Sequence, residues 1–232
     1  MTPSRAEPEN LFGAAAHKPL LCYVTDRKAL DGPESLPRVR QTIAAALAAG
    51  LDWVQVREKD LPARELLDLV RAALAVSEQS PRRARVIVND RLDIALATSA
   101  AGVHLGGESL PAQNVVRWCR NGKAPRDFLI GVSCHSLEKA REAEEAGASY
   151  IFFGPIFETP SKAGFGPPQG LAKLSEVCRS VQIPVIAIGG VNEANCADCI
   201  RAGAAGIAAI RLFQQHDADA LRKAVERLHR SM

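Results

Sequence analysis

The chain has 232 residues, of which 47% are hydrophobic, and a formal net charge of +3, so it is long enough to bury a substantial core. Its mild charge and 5% aromatic content, with no polybasic block, give no support to nucleic-acid binding. No apolar run has the length of a membrane span and the first residues lack the apolar core of a signal peptide, so we expect a cytoplasmic chain without nucleic-acid or membrane partners.

The polar start of the chain differs from the rest. Residues 1–17 contain Pro and Ala and show neither a helical nor a strand period, which predicts a flexible N-terminal extension. No composition shift typical of a linker interrupts residues 18–232, so we expect them to form one domain.

From Leu20 onward, short apolar strands alternate with amphipathic helices. The predicted strands are 20–25, 52–57, 85–89, 102–105, 128–133, 149–154, 184–190 and 205–210. The predicted helices are 35–50, 62–78, 92–98, 111–120, 137–147, 170–180, 193–203 and 218–230. Such apolar, β-branched strands are typical of a parallel sheet buried on both faces. The consecutive strand–helix units therefore predict an α/β fold, a single-domain (β/α)8 TIM barrel.

The six cysteines lie mostly within apolar stretches, as reduced and buried thiols do. Cys196 and Cys199 form a CxxC inside a predicted helix, without a second pair at zinc-ligand spacing. Helix packing is therefore favoured over a metal or redox role.

Polar residues follow most of the predicted strands, where a barrel of this type carries its chemistry. The candidates are Gln55, Arg57, Lys59, Asn89, Asp90, Glu108, Ser133, His135, Thr159, Ser161, Lys162, Gly189, Gly190 and Arg211. Four of them are cations, which predicts an anionic substrate with more than one charge. His104 also ends a strand, and there we favour a structural histidine over a catalytic one.

Three features of this set suit phosphate chemistry. The hydroxyls of Thr159 and Ser161 beside the ammonium of Lys162 suit an anion. The Gly189–Gly190 pair allows a backbone to approach a ligand closely and present N–H groups. Asp90 and Glu108 could share a magnesium ion with a diphosphate, because Mg²⁺ favours carboxylate and phosphate oxygens.

Together these residues resemble the thiamine phosphate synthase family and its sister group, the TenI-type thiazole tautomerases. The resemblance runs from about Leu20 to Leu212, and the combination of strings is more specific than any one of them. The matching strings are YVTDR, VQVREKD, VNDRLDIAL, GVHLGGESLP, IGVSCHS, FFGPIFETPSK, PVIAIGG and AGAAGIAAI.

The resemblance implies a transferase that joins hydroxymethylpyrimidine diphosphate to thiazole phosphate and releases pyrophosphate. It implies a dissociative displacement, in which neutralising the leaving group matters more than a base. By the same resemblance, Gln55, Arg57, Lys59 and Asn89 contact the diphosphate and the pyrimidine, and Asp90 binds Mg²⁺. The other implied contacts are Ser133, the hydroxyl–lysine motif at Thr159, Ser161 and Lys162, and Gly190 at the thiazole phosphate.

Two positions depart from the family pattern. Ser109 stands where the family has its second magnesium carboxylate, which weakens a metal site. Arg211 stands where the family has a phosphate-binding serine, and an arginine can still bind phosphate, although with different geometry.

Two further interpretations stay open. A tautomerase would shift a proton on thiazole carboxylate phosphate without a metal, with His135 as the acid/base. A non-catalytic regulator would bind thiazole phosphate without turnover. The sequence also leaves open whether the chain forms a homo-oligomer.

Overall fold

The structure, a computed structural model, describes residues 18–30, 35–81, 83–159 and 167–232. Its eight strands form a closed parallel barrel in sequence order, with the last strand paired to the first. The strands are β1 (Leu20–Val24), β2 (Trp53–Val56), β3 (Arg85–Asn89), β4 (Gly102–Leu105), β5 (Leu129–Cys134), β6 (Tyr150–Phe153), β7 (Val185–Ile188) and β8 (Gly206–Ala209). The predicted (β/α)8 barrel is confirmed.

Helices follow the strands and cover the barrel. They are α1 (Ser35–Ala48), α2 (Ala63–Ser77), α3 (Leu92–Ala97), α4 (Ala112–Trp118), α5 (Leu137–Ala146), α6 (Gly170–Ser180), α7 (Cys196–Arg201), α8 (Arg211–Gln214) and α9 (Ala218–Ser231). The N-terminal extension expected over residues 1–17, and the candidates Ser161 and Lys162, lie outside the described residues.

Successive residues of each strand alternate between the barrel interior and the helices. In β1, Leu20, Cys22 and Val24 belong to the interior cluster, whereas Leu21 and Tyr23 pack with the helices. Both sets are buried, so the strand is apolar throughout. This double burial explains why the sequence shows short continuous apolar runs rather than alternation.

Large side chains fill the interior of the barrel. The rings of Trp53 and Tyr150 meet edge to face with centroids 4.8 Å apart. The ring centroids of His104 and Phe152 are 4.3 Å apart. The interior is therefore a packed core, as expected for eight strands. A site must lie above it, at the ends of the strands.

Two elements differ from the prediction. A short helix, α8, follows β8, and α7 is shorter than the predicted 193–203. The chain before α7 is a turn in which the Asn195 side chain accepts from Asn192 N and the Asn192 side chain accepts from Ala194 N, both at 2.8 Å. Such asparagine turns compete with helix formation, which explains the late start of α7.

The cysteines fit the packing interpretation. All six are free, and Cys196 and Cys199 are fully buried in α7. Burial raises the pKa of Cys199 to about 12, so its thiol stays protonated at neutral pH. Among the described residues, no helix combines the length and apolar character that a bilayer crossing requires.

Candidate active site

A cavity of about 850 Å³ opens at the carboxyl end of the barrel. Most of the strand-end residues selected from the sequence line it: Gln55, Arg57, Asn89, Ser133, His135, Thr159, Gly189, Gly190 and Arg211. These residues come from six of the strands or the loops after them and converge on one space, as the topology requires.

A hydrogen-bonded chain of polar side chains crosses one side of the barrel mouth. Gln55 donates through Nε2 to Asn89 Oδ1 at 3.0 Å, and Asn89 donates through Nδ2 to Asp90 Oδ2 at 2.9 Å. The hydroxyl of Ser109 donates to the other oxygen of Asp90. The loops after β2, β3 and β4 are therefore joined by side chains.

One atom of this chain lacks a partner. Gln55 is 2% exposed and lines the cavity, yet its Oε1 atom accepts no hydrogen bond from any described residue. An unsatisfied buried acceptor is costly. A ligand that brings an N–H group to Gln55 would relieve that cost.

Arg57 follows β2 and is partly buried. Its backbone N–H donates to Thr25 Oγ1 at 2.9 Å, and its guanidinium lies 3.7 Å from a carboxylate oxygen of Asp26. The guanidinium lines the cavity, so it can pair with an anion there.

His104 is a buried histidine at the floor of the cavity. It is 1% exposed and borders the cavity, with Nδ1 3.2 Å from Tyr150 Oη and Nε2 2.9 Å from Ser133 Oγ. Burial, with a smaller contribution from the charge of Arg57, lowers the pKa of His104 to about 3. The imidazole is therefore neutral at physiological pH.

His135 lies in the loop after β5. Its Nδ1 lies 2.5 Å from the carbonyl oxygen of Gly154, to which it donates. With the proton on Nδ1, the other nitrogen, Nε2, is the acceptor of this tautomer, and the residue lines the cavity.

The glycine pair after β7 holds two loops together. Gly189 and Gly190 have φ values of 93° and 68°, and a Cβ on Gly190 would lie 2.6 Å from Glu158 O. Phe157 N donates to Gly189 O at 2.9 Å. Close approach was predicted here for a ligand, and the structure shows in addition a close approach of the neighbouring loop.

The loop between β6 and α6 is also closed at its base. Gln169 N donates to Pro155 O at 2.8 Å, and Gly170 N donates to Ile156 O at 3.0 Å. These bonds join the two ends of the segment that carries Thr159. Thr159 lines the cavity, whereas its predicted neighbours Ser161 and Lys162 are outside the described residues.

Three of the described candidates, Lys59, Asp90 and Glu108, do not line the cavity. The alternation of β2 ends after Arg57, because a turn closed by Leu61 N and Glu58 O at 3.3 Å follows, and Lys59 is exposed. After β4 a turn joins Ser109 N to Gly106 O at 3.2 Å, leaving Glu108 exposed. The roles expected for Lys59 and Glu108 stay predictions.

The described lining is not uniformly cationic. Lys28, Arg57 and Arg211 are accompanied by three carboxylates, which are Asp26, Glu158 and Glu193. Asp26 pairs with Arg57, and Glu193 binds Arg227 at 2.6 Å. None of the three is among the candidates selected from the sequence, although Asp26 follows β1 as the other site residues follow their strands.

His216 was also missed. It lines the cavity. The pKa of Glu193 is lowered mainly by its hydrogen bond from Arg227, with a smaller contribution from His216. His216 follows α8, a helix that the sequence did not predict. No sequence signal placed it near the barrel mouth.

The donors available to a metal ion are few. Asp90 is exposed at the end of β3 and contacts the Ser109 hydroxyl and the Asn89 amide. Among the described residues, no cluster of three or more His, Cys, Asp or Glu side chains has metal-binding geometry. One carboxylate beside a hydroxyl fits a Mg²⁺ ion whose other ligands are phosphate oxygens and water.

Comparisons with known proteins point in one direction. Residues 21–213 match the family described as thiamine monophosphate synthase. A thiamine-phosphate synthase of Roseiflexus sp. is 43% identical over 82% of this chain and 76% of its own length. A thiamine-phosphate synthase of Moorella thermoacetica is 44% identical over 73% of this chain and 78% of its own.

A solved structure agrees with these sequences. The thiamine phosphate pyrophosphorylase from Pyrococcus furiosus superposes with a TM-score of 0.77 and 33% identity, covering 91% of this chain and 94% of its own. The barrel therefore resembles that of the same group of proteins.

Proposed function

Because the chain belongs to the thiamine monophosphate synthase family, we propose that it is a thiamine-phosphate synthase. It is a transferase that condenses hydroxymethylpyrimidine diphosphate with thiazole phosphate and releases pyrophosphate. One observation carries the proposal: most of the described strand-end residues on which the resemblance to this family rests lie at one cavity above the barrel core.

In the proposed reaction, the bond between the pyrimidine methylene carbon and the diphosphate oxygen breaks first, and the bonding electrons leave with pyrophosphate. The thiazole nitrogen then donates its lone pair to the methylene carbon. The first step builds negative charge on the leaving group, so fixed cations stabilise it. Arg57 and Arg211 line the cavity, and we assign them, with Lys59 and Lys162, to the phosphate groups.

Gln55 and Asn89 hold the pyrimidine in this proposal. The aminopyrimidine carries an exocyclic amino group, and the unpartnered Oε1 of Gln55 is an acceptor for it. Asn89 Oδ1 accepts from Gln55 Nε2, which fixes the amide orientation so that Oε1 is left for the ligand. Thr159, Ser161 and the Gly189–Gly190 backbone would contact the thiazole phosphate.

Asp90 would hold Mg²⁺ with the diphosphate. Bound Mg²⁺ would neutralise charge on the leaving pyrophosphate. Ser109 supplies a hydroxyl at the position next to Asp90, and we expect the ion to depend largely on the substrate for its ligands. Glu108 is exposed on the same turn and remains a second proposed ligand.

The proposed function is tested by incubating the purified protein with both precursors. We expect thiamine phosphate and pyrophosphate to form in equal amounts with Mg²⁺, and formation to fall when a chelator is added. Tight binding of thiazole phosphate with no product would instead indicate the regulator.

Arg57→Ala tests the assignment of the leaving-group cation. We expect kcat to fall by about 100-fold or more, because a preorganised group facing developing charge contributes on that order. Lys162→Ala is expected to act in the same way. Arg64→Ala, an exposed arginine on α2, is the matched control and should retain wild-type kinetics.

His135 favours a second candidate function, the thiazole tautomerase. Its Nδ1 donates to Gly154 O, so Nε2 is available as a base within the cavity. If the chain isomerises thiazole carboxylate phosphate, is indifferent to chelator and loses this activity in His135→Asn, the tautomerase replaces the synthase.

A further inference from the structure

A hydrogen-bonded relay runs from the interior of the barrel to the cavity. Tyr150 on β6, His104 on β4 and Ser133 on β5 are its members, joined by contacts of 3.2 Å and 2.9 Å through the two nitrogens of the imidazole. Tyr150 is fully buried, whereas Ser133 borders the cavity. The relay thus connects the core to the place where a ligand would bind.

The direction of the hydrogen bonds follows from counting donors. Among the described residues, the Tyr150 hydroxyl has one hydrogen-bond partner, His104 Nδ1. If Nδ1 carried the proton, the buried Tyr150 O–H would have no acceptor, at a cost that native structures seldom accept. Tyr150 therefore donates to Nδ1, which leaves the proton of the neutral imidazole on Nε2.

The same reasoning determines the hydrogen-bond direction at Ser133. Nε2–H of His104 donates to Ser133 Oγ, so the serine oxygen accepts a hydrogen bond from the barrel interior. The hydroxyl proton of Ser133 cannot return to a nitrogen that already carries one. It is free to turn towards the cavity that Ser133 lines.

Gly131 makes room for this arrangement. It lies two residues before Ser133 on β5, and a Cβ added there would overlap the phenol end of Tyr150 and lie 2.6 Å from His104 Nδ1. The hydrogen bond between the two rings occupies the space that any other residue at position 131 would fill. Strand β5 therefore supplies both the space for the relay and its last member.

We propose that Tyr150 and His104 are positioning residues, which hold the Ser133 hydroxyl as a hydrogen-bond donor to the substrate. The inference rests on the proposed function for the identity of that substrate. The acceptor is either a ring nitrogen of the aminopyrimidine or an oxygen of its diphosphate, since both present lone pairs and neither presents a donor.

The tautomer is measured first, on the wild-type protein with 15N-labelled histidine. We expect the His104 ring signals, assigned by their loss in His104→Gln, to show a proton on Nε2 and none on Nδ1 throughout the neutral pH range. A proton on Nδ1 would overturn the relay. This measurement needs no turnover, so it stands whether or not the protein proves to be a synthase.

The chain's two tyrosines provide a matched pair of variants. Tyr150→Phe deletes the donor to His104, and we expect the uniform Nε2–H signal to be lost and kcat/KM to fall by about 3- to 10-fold. Tyr23→Phe deletes a buried hydroxyl that no described residue bonds, and it should change neither. An equal effect of both substitutions would mean a general packing defect and would overturn the inference.

The energetic coupling between Tyr150 and Ser133 is tested with Ser133→Ala. We expect a loss of about 10-fold or more in kcat/KM, and the double variant Tyr150→Phe/Ser133→Ala should be no worse than Ser133→Ala alone. Additive losses would show that Tyr150 does not act through Ser133. An active wild type with additive losses refutes the relay, whereas an inactive wild type with the expected tautomer refutes only the proposed function.

Inhibition separates the two acceptors. If Ser133 donates to the diphosphate, Ser133→Ala weakens inhibition by inorganic pyrophosphate. If it donates to the ring, the variant weakens inhibition by hydroxymethylpyrimidine and leaves pyrophosphate unchanged. Unchanged inhibition by both compounds would contradict a donor role.

Discussion

At the scale of single residues, Asp90 is the proposed magnesium ligand at the barrel mouth. Both of its oxygens already accept hydrogen bonds, from Asn89 and Ser109, and it takes a φ of 60°, which aspartate tolerates better than most residues. The carboxylate is held in place before a metal arrives. The hydroxyl of Ser109 would have to yield an oxygen of Asp90 to the ion.

Asp90→Asn should raise the Mg²⁺ concentration needed for half-maximal activity by about 10-fold or more, because the amide removes the charge that attracts the ion. A titration of activity against Mg²⁺ measures the change. An unaltered Mg²⁺ requirement would remove Asp90 from the metal site.

Ser109→Asp should have the opposite effect. A second carboxylate beside Asp90 repels it without metal and shares the ion when Mg²⁺ is present, so the variant should gain more thermal stability from Mg²⁺ than the wild type does. Ser99→Asp, an exposed position before β4, is the control and should not respond. Equal Mg²⁺ responses in the two variants would contradict the proposed geometry.

Single residues also mark the limit of the sequence argument. Gln55 and Asn89 were found because polar groups at strand ends are visible in the sequence. The hydrogen-bond partners of His104 were not found, since Tyr150 and Ser133 come from other strands and their contacts depend on the register of the barrel. Side-chain contacts between strands cannot be predicted from the sequence of one strand alone.

At the scale of elements, the loops after β6 and β7 are built as a pair. Two backbone hydrogen bonds join them, from Ile156 N to Ile188 O at 3.0 Å and from Phe157 N to Gly189 O at 2.9 Å. The left-handed backbone of the glycine pair allows this contact. Thr159 reaches the cavity from a loop anchored in this way.

Gly190→Ala should destabilise the protein by roughly 1–3 kcal/mol, because alanine at positive φ is strained and its Cβ would meet the backbone of the neighbouring loop. Chemical unfolding measures the loss. Gly107→Ala, where no atom lies within 4 Å of the added Cβ, should change stability by less than about 0.5 kcal/mol. Equal effects of the two substitutions would contradict the tight contact.

Element boundaries were predictable where the hydrophobic period was strong. The strands and α6 fall close to the predicted ranges, whereas α8 was missed. Tertiary contacts hold it: the Gln214 side chain donates to Asp26 O at 2.8 Å and accepts from Asp26 N at 3.2 Å. A four-residue helix held by the opposite end of the chain leaves no periodic trace.

At the scale of the whole molecule, closure of the barrel joins the polar groups after β1 and β2. Glu58 is 4% exposed and accepts from Arg27 N at 3.0 Å. Burial raises the pKa of Glu58, although hydrogen bonds from Thr25 and Arg27 oppose the change. The native state thus holds this proton more tightly than the unfolded chain does, so stability falls as pH rises through the native pKa.

Glu58→Gln should therefore stabilise the barrel at pH 8, by a few degrees in Tm, because the neutral amide keeps an acceptor without a buried charge. The difference from the wild type should close towards pH 4, where Glu58 is protonated in the folded protein. Thermal melts across this range measure it, with the exposed Glu176→Gln as the control. A variant less stable than the wild type at pH 8 would show that the ionised form is favoured.

The architecture itself was predictable because eight apolar strands in alternation with helices leave few alternatives. The same topology placed most candidate residues at one mouth. It did not predict the charge of that mouth, because Glu158 and Glu193 lie in loops whose direction no hydrophobic pattern records. Nor did it predict the turn beyond the end of β2, which leaves Lys59 exposed.

The hydrogen bonds from Gln169 and Gly170 to Pro155 and Ile156 make the chain enter and leave the intervening loop at a single point. A change in the length of that loop is absorbed beyond this point and is not transmitted to β6 or α6. The segment that carries Thr159 is therefore anchored to the barrel at its two ends. Exchange of this segment between relatives should therefore alter the choice of substrate while the strands of the barrel keep their register.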